Sequence, residues 1–478
     1  MILSEIIKNF DTKVIGDNVQ VKNLCHNSKE VTKGDMFFCL TGGVVDGHMF
    51  AKEAEANGAS VIVAERELDV NCTQVIVNST RAAMAVFASN YFSNPSKDLI
   101  IVGVTGTNGK TTTTYILQSI VTAAGKNAAI IGTNGVIYNG EIINTFATTP
   151  DPILLQSLLL NLKQKGAEVV IMEMSAHAAY YQKLRGVMTD IILFTNLSQD
   201  HLDFFITMEN YGESKRKLFD KNFADYAVIN FDDAFGISLA KETNLPYLSY
   251  SINKKDCDIK AEKIEQTTTS INYTCCFQNK KFEVSQNLIG TFNISNGLCA
   301  IGGALLLGCT EEHIKSGLAN LKSVPGRFNT KIVNDILFVI DYAHTPDGLE
   351  NILRATRPLA KNKLISVFGC GGNRDNSKRH IMGEISGRLA DLTIITSDNS
   401  RLEDPNAIIS DIESGISGRY IKQADRKQAI KLAFKLAGSG DCIVISGKGA
   451  EDYIDCGGKK TSYSDAEVIK EIEDEYQF

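Results

Sequence analysis

The chain has 478 residues and carries 49 Lys and Arg against 56 Asp and Glu, a formal net charge of −7. That length exceeds one ordinary core and predicts roughly two to four domains. The mild, well-mixed acidity has no basic block or aromatic–basic interleaving, which argues against nucleic acid as a partner. No stretch approaches the length of a membrane span, and the N-terminal residues, with Glu5 and Asp11, lack the apolar run of a signal peptide. The eleven cysteines are scattered without C-x-x-C pairing, as in a reduced cytoplasmic protein with buried thiols.

Residues 1–97 mix short strand-like runs (36–40, 60–64, 74–77) with helical segments (49–57, 80–91), and Asn94-Pro95-Ser96-Lys97 reads as a linker. From Leu99 the pattern becomes strand then helix, repeated. An apolar run at 99–104 leads into Gly106-Thr107-Asn108-Gly109-Lys110-Thr111-Thr112 and then a helix-like segment at 113–124. Strand, glycine-rich turn, helix is the order that builds a phosphate site. The glycines let backbone N–H groups point inward and the helix N-terminus adds its dipole. Lys110 adds a cation, and Thr111 a hydroxyl for Mg²⁺. Val104 stands where the generic P-loop has glycine. The loop predicts a bound nucleoside triphosphate.

Further apolar runs at 128–131, 168–174 and 191–196 have the character of buried parallel strands, giving a doubly wound sheet with ligands at its strand ends. Two of them close in polar clusters. Glu173-Met174-Ser175-Ala176-His177 puts a carboxylate beside the phosphate loop, where it suits a Mg²⁺ ligand. Asn196-Leu197-Ser198-Gln199-Asp200-His201-Leu202-Asp203 ends the next strand in the same way, and the pair points to a metal site. Lys215, taken alone, reads as an exposed helix lysine. Residues 254–284 are polar and alternating, as in an antiparallel excursion. A second boundary falls at Val324-Pro325-Gly326-Arg327, after which the strand–helix rhythm returns at 336–340, 364–368, 392–396 and 442–446. The turn Gly369-Cys370-Gly371-Gly372-Asn373-Arg374 fails the dinucleotide fingerprint, because Arg374 stands in place of its third glycine. The expected domains are therefore 1–97, 98–327 and 328–478.

Six ordered motifs carry a resemblance to the Mur ligases, the ATP-dependent amide-forming enzymes of peptidoglycan synthesis. They are the Gly106–Thr112 loop, the Glu173–His177 and Asn196–Asp203 strand ends, Gly290-Thr291-Phe292-Asn293-Ile294-Ser295-Asn296, Val324–Arg327, and Asp341-Tyr342-Ala343-His344-Thr345-Pro346. Thr148-Thr149-Pro150-Asp151-Pro152, the run 369–379, residues 398–405 and Gly447-Lys448-Gly449-Ala450-Glu451 are similar to the diaminopimelate-adding branch. The resemblance implies an α/β protein of three domains: a small uridine-nucleotide domain, a central P-loop ATPase with a doubly wound sheet, and a Rossmann-like C-terminal domain for the amino acid. It also implies ATP and Mg²⁺ as cofactors and a monomer.

Site residues follow from the same resemblance. Lys110, Glu173, His201 and Lys215 are implied as catalytic, with Lys215 carbamylated. Thr111 and Glu173 would hold one metal ion, His201 and the modified Lys215 a second. Nucleotide contacts fall to Gly106, Thr107, Asn108, Gly109, Lys110, Thr111, Thr112, Asn293, Asn296, Arg327 and Asp341. Ser28, Thr148, Thr149, Ser175 and Lys183 match positions that hold UDP-N-acetylmuramoyl-L-alanyl-D-glutamate. Arg374, Asp398, Asn399, Arg401, Gly447 and Glu451 match the amino-acid contacts.

The implied reaction moves the ATP γ-phosphoryl to the D-glutamate carboxylate, and an amine then attacks the acyl phosphate. The family's D-N-P-R becomes Asp398-Asn399-Ser400-Arg401 here, and Ala450 replaces a histidine. Asn27 and Lys29 flank Ser28 where the family has Asp and Arg, Ala147 replaces an Asn, and Lys183 an Arg, which keeps charge but loses the fork. Arg401 is retained, and an arginine can clamp a distal carboxylate with two hydrogen bonds. That favours meso-diaminopimelate, with L-lysine, L-ornithine or a diaminopimelate analogue as alternatives. A folylpolyglutamate synthase-like ligase and a non-catalytic nucleotide-binding scaffold are the remote ones.

Overall fold

The computed structural model describes residues 1–42, 45–145, 147–267 and 269–476. Three larger sheets organise the chain, of five, eleven and six strands. The first contains Lys13–Ile15, Leu24–Cys25, Met36–Phe38, Val61–Ala64 and Thr73–Ile76, in the order first, fifth, fourth, third, second. Pairing is parallel except at the first strand. Helix Thr80–Tyr91 starts where the Ser79 hydroxyl accepts from the Ala82 amide at 3.3 Å. It lays Met84, Phe87 and Ala88 against Met36, Phe38, Val61 and Val63. The expected linker is packed: Pro95–Asp98 forms a 3₁₀ turn, and the Ser96 hydroxyl accepts from Met188 N at 3.1 Å.

In the central sheet, Ile100–Thr105 lies between Val169–Glu173 and Thr189–Phe194, all parallel. Ala128–Gly132 extends one side; Ala224–Asn230 and Tyr247–Ser251 extend the other. Helices Lys110–Ala123, Thr291–Leu306 and Glu311–Asn320 cover one face, and Pro152–Gln164 and Ala234–Glu242 the other. Burial on both faces explains why these strands read as unbroken apolar runs. The register sets Glu173 opposite Val104 and Phe194 opposite Thr105, so both polar strand ends emerge beside the phosphate loop.

The alternating segment after residue 254 does pair antiparallel, through Ile259–Gln266, Ile271–Phe277 and Lys280–Gln286. It does not leave the sheet, however. Ile259 pairs parallel with Tyr250, so these strands prolong the central sheet at its edge.

The third sheet runs Asn329–Val333, Ile336–Asp341, Cys442–Ser446, Leu364–Phe368, Leu392–Ile395, Tyr420–Lys422 across its width. All its pairs are parallel except the first. A separate hairpin, Tyr453–Cys456 with Lys459–Ser462, docks on the loop at Arg401, whose amide donates to Asp455 O at 3.0 Å. No described helix is long and apolar enough to cross a membrane.

Candidate active site between the central and C-terminal domains

A cleft of about 560 Å³ lies where the carboxyl ends of the central and C-terminal sheets face each other. The phosphate loop forms its floor. Gly106 and Gly109 adopt φ of +147° and +85°, and a Cβ would drive Gly106 into Thr195 and Gly109 into Asn296. Only glycine suits such positions. The Lys110 amine donates to Gly106 O at 3.0 Å and Thr107 O at 2.8 Å. Burial lowers its pKa, against the pull of Glu173 and Asp200.

Glu173 is 1 % exposed. Its Oε1 accepts from the Thr111 hydroxyl and from Thr133 N, each at 2.9 Å, and its Oε2 accepts from the Thr133 hydroxyl at 3.2 Å. These partners are all neutral, so a buried side chain faces the cleft with no cation bonded to it among the described residues, and a cation suits that position. The Thr111 hydroxyl also accepts from Arg327 Nη2 at 3.0 Å. The Arg327 guanidinium stacks 4.4 Å from the Tyr342 ring centroid.

Lys215 contradicts the exposed-lysine reading of its helix. It is 1 % exposed, because helix Met208–Arg216 turns this face under the phosphate loop, and its amine donates to Gly106 O at 2.9 Å. Burial, with Lys110 nearby, holds that amine well below the usual lysine range. Lys215 and His201 both lie against Tyr211: the Lys215 amine is 4.4 Å and the His201 ring centroid 6.0 Å from the Tyr211 ring centroid. Burial pushes the His201 imidazole down to about 3.

Among the remaining predicted residues, Thr107, Asn108, Thr112, Thr148, Ser175, Asn293, Asn296, Asp341, Arg374, Asp398, Asn399, Arg401, Gly447 and Glu451 also line the cleft. Asn293 and Asn296 are joined by a 3.0 Å hydrogen bond. Asp341 spends both oxygens locally, accepting from Phe328 N at 2.8 Å and Ala343 N at 2.7 Å, and burial raises its pKa. Asn399 Nδ2 donates to Glu451 Oε2 at 2.9 Å, and the fully buried Lys448 bridges Asn399 Oδ1 and the same carboxylate at 3.1 and 3.0 Å. Thr149 sits behind the wall, its hydroxyl donating to Glu173 O at 2.8 Å. Ser28 and Lys183 do not line this cleft. Ser28 lies on the first sheet's domain and donates to Glu53 Oε2 at 2.6 Å; burial lowers the Lys183 pKa.

The sequence reading assigns no role to a charged cluster that joins the two walls. Asp200, 5 % exposed, stands 3.3 Å from His201 Nε2 on its own domain. From the C-terminal domain it meets Lys378 at 3.3 Å and His344 at 3.6 Å. Burial pushes its carboxyl up, but His344, Lys378 and His201 outweigh that and hold it well below the usual carboxylate range. Asn108 likewise donates across the cleft to Asp347 Oδ2 at 2.8 Å, and Gln199 to the Ser377 hydroxyl at 2.9 Å. Asp200 and His344 both sit inside quoted motifs, and Lys378 inside the run 369–379; their position there is the signal that points to them.

A phosphate loop facing a second α/β domain across a charged cleft defines a P-loop enzyme that works on substrates held between domains. Comparison with known proteins narrows the class. The Mur ligase middle domain matches residues 104–304, the Mur ligase glutamate ligase domain residues 326–449, and the Mur ligase family catalytic domain residues 20–94. The chain is 41 % identical over 482 aligned positions to a UDP-N-acetylmuramoyl-L-alanyl-D-glutamate–2,6-diaminopimelate ligase of Clostridium botulinum, covering 99 % of both chains. A solved structure of a ligase of that name superposes with a TM-score of 0.71 at 31 % identity, covering 100 % of this chain and 99 % of the other. The MurF ligase of Thermotoga maritima, solved in complex with ADP, superposes with a TM-score of 0.64 at 25 % identity, over 89 % and 94 %. The chain belongs to the Mur ligase family.

Proposed function

We propose that this protein is an ATP-dependent ligase that joins meso-diaminopimelate to the D-glutamate carboxylate of UDP-N-acetylmuramoyl-L-alanyl-D-glutamate in peptidoglycan synthesis. The observation that carries the reading is the cleft itself. The phosphate loop and Glu173 stand on one wall and Arg374, Asn399, Arg401 and Glu451 on the other, in a chain aligned end to end with relatives named for this reaction. The ADP complex of a family member supports ATP as the nucleotide.

In this reading the loop amides and Lys110 hold the ATP phosphates, and Arg327 reaches them from across the cleft beside Thr111. Asn293 and Asn296 lie on the adenine side. Ser28, Thr148, Thr149, Ser175 and Lys183 hold the UDP-linked substrate with its D-glutamate carboxylate toward the loop. The γ-phosphoryl passes to that carboxylate, the incoming amine forms the amide bond, and phosphate leaves. Glu173 offers oxygen without a bonded cation, and Mg²⁺ takes one or two such protein ligands and fills its sphere with phosphates and water. Glu173 with Thr111, and His201 with Lys215 as its carbamate, would hold Mg²⁺ ions that neutralise phosphate charge. A carbamate forms when a neutral amine bonds CO₂ and releases a proton, and the buried Lys215 amine is suited to that. Asp398, Asn399, Glu451 and the backbone at Gly447 take the ammonium side of the diamino acid, and Arg374 and Arg401 its distal carboxylate. The protein acts as a cytoplasmic monomer in this reading.

The test is ATP-dependent phosphate release with UDP-N-acetylmuramoyl-L-alanyl-D-glutamate and a panel of diamino acids. Turnover with meso-diaminopimelate well above L-lysine and L-ornithine is expected. Equal use of all three, or no dependence on the UDP-linked acceptor, refutes the assignment.

A further inference from the structure

Two arginines line the cleft on separate segments. Arg374 ends the turn at 369–374, and Arg401 sits on the loop at 398–404 with φ of +53°. A non-glycine residue in that left-handed region needs its surroundings to hold it. The turn and the loop are stitched together by one backbone–backbone bond and two bonds between side chain and backbone. Gly372 N donates to Asn399 O at 2.9 Å, Arg401 Nη1 donates to Gly372 O at 2.6 Å, and Leu402 N donates to Asn373 Oδ1 at 3.0 Å. A Cβ on Gly372 would run into Ser400 O, so the approach leaves no space for a side chain.

Beneath this seam lies Arg379, 1 % exposed, outside the cleft lining and in the first turn of helix Ser377–Leu389. Its Nη2 donates to Glu403 Oε2 at 2.9 Å and to Gly371 O at 3.4 Å, and its Nη1 to Asp411 Oδ2 at 2.8 Å. The other oxygen of Glu403 accepts from Asn373 N. One guanidinium fork therefore grips the turn directly and, through Glu403, both turn and loop. Lysine could not repeat that geometry, since its ammonium lacks the planar fork.

We propose that Arg379 is a positioning residue for amino-acid selection: through Gly371 and Glu403 it fixes the seam that aims Arg401 and Arg374 at a carboxylate on the far end of the diamino acid. The inference rests on the diaminopimelate reading above. It also supplies, from below, a restraint on the Arg401 loop at the point where Ser400 stands in place of a proline.

The test compares wild type with Arg379→Lys, Arg379→Met and Glu403→Gln, using kcat/KM for meso-diaminopimelate and for L-lysine, which lacks the distal carboxylate. In the variants, KM for meso-diaminopimelate should rise about 10–100-fold, the range for partners that orient a contacting group. kcat/KM for L-lysine and KM for ATP should move less than about 3-fold, so the preference collapses. In an Arg401→Ala background the Arg379 changes should add little. Equal losses for both amino acids, an Arg379→Lys variant as selective as wild type, or full additivity with Arg401→Ala overturns the proposal. If the Arg379 variants fail to fold, Glu403→Gln, at a partly exposed carboxylate, decides by the same ratio. A wild type that does not prefer meso-diaminopimelate refutes the functional reading instead.

Discussion

Replacing Asp200 by Asn keeps the shape of the side chain and removes a charge that binds the two cleft walls through ion pairs. Lys378 is 5 % exposed and has Asp200 as its ion-pair partner at 3.3 Å; His344 shares that carboxylate. Taking one partner from a buried pair typically costs about 3–5 kcal/mol, because the other charge stays desolvated. The domains can relieve this by separating until water reaches Lys378. The cost then appears as a shift of roughly 10²–10⁴ in the closed-to-open ratio. Asp200→Asn should therefore raise the radius of gyration in solution scattering and depress kcat, although the contacts of Asn108, Gln199 and Arg327 across the cleft remain. The double variant with Lys378→Met buries no unpaired charge and should recover much of the compactness, with a coupling of at least about 1 kcal/mol in the cycle. An Asp200→Asn protein as compact as wild type, or losses that simply add in the double variant, would show that this cluster does not hold the walls together.

Lys215→Ala should lose nearly all turnover, with partial rescue by a short-chain carboxylic acid that restores an anion under the loop; full activity in the variant would refute the carbamate. Arg401→Ala should weaken meso-diaminopimelate by about 2–4 kcal/mol, as for a charge-assisted pair in a partly buried site, and leave the ATP constant nearly unmoved; isothermal titration or KM measurement decides, and an unchanged diaminopimelate constant refutes the clamp. His201 sets a pH effect on stability. Its folded pKa of about 3 lies below the ordinary 6.5, so between these values the unfolded chain binds a proton that the native state refuses. Stability then falls as pH drops below about 6.5. Unscreened, this is about 2 kcal/mol between pH 7 and 5; with a side chain 32 % exposed, solvent screening reduces it to about 1 kcal/mol. Denaturant unfolding of wild type and His201→Asn at both pH values should show the wild-type slope steeper by that amount, and parallel slopes refute it.

The central sheet was legible because its strands are buried on both faces, so each reads as a run of β-branched and aliphatic residues ending in polar ones. Ile100–Thr105, Val169–Glu173 and Thr189–Phe194 all fall within two residues of the expected runs. Short edge elements were not. Asn329–Val333 and Tyr420–Lys422 are largely exposed, and the Lys459–Ser462 strand wholly so; with no apolar run to mark them, they owe their existence to the neighbours they pair with.

The same contrast divides the site. The phosphate loop announces itself because its function is local: glycines, a lysine and a threonine within seven residues, on one strand–turn–helix unit. Lys215 has no such signature, since nothing near it in sequence distinguishes it from a surface lysine. Its character comes from Gly106, 109 residues away, which caps it out of water. Asp200 meets Lys378 across 178 residues, and Arg327 meets Thr111 across 216. A charge acquires meaning from what excludes water around it, and in this chain a second domain does the excluding for Asp200. Local pattern therefore marks the groups expected to bind phosphate, while the charges that meet across the cleft are visible only once the two sheets face each other. Enclosure of that kind strengthens electrostatic interactions within a cleft, and Asp200, Lys378 and His344 stand where the two walls make that enclosure.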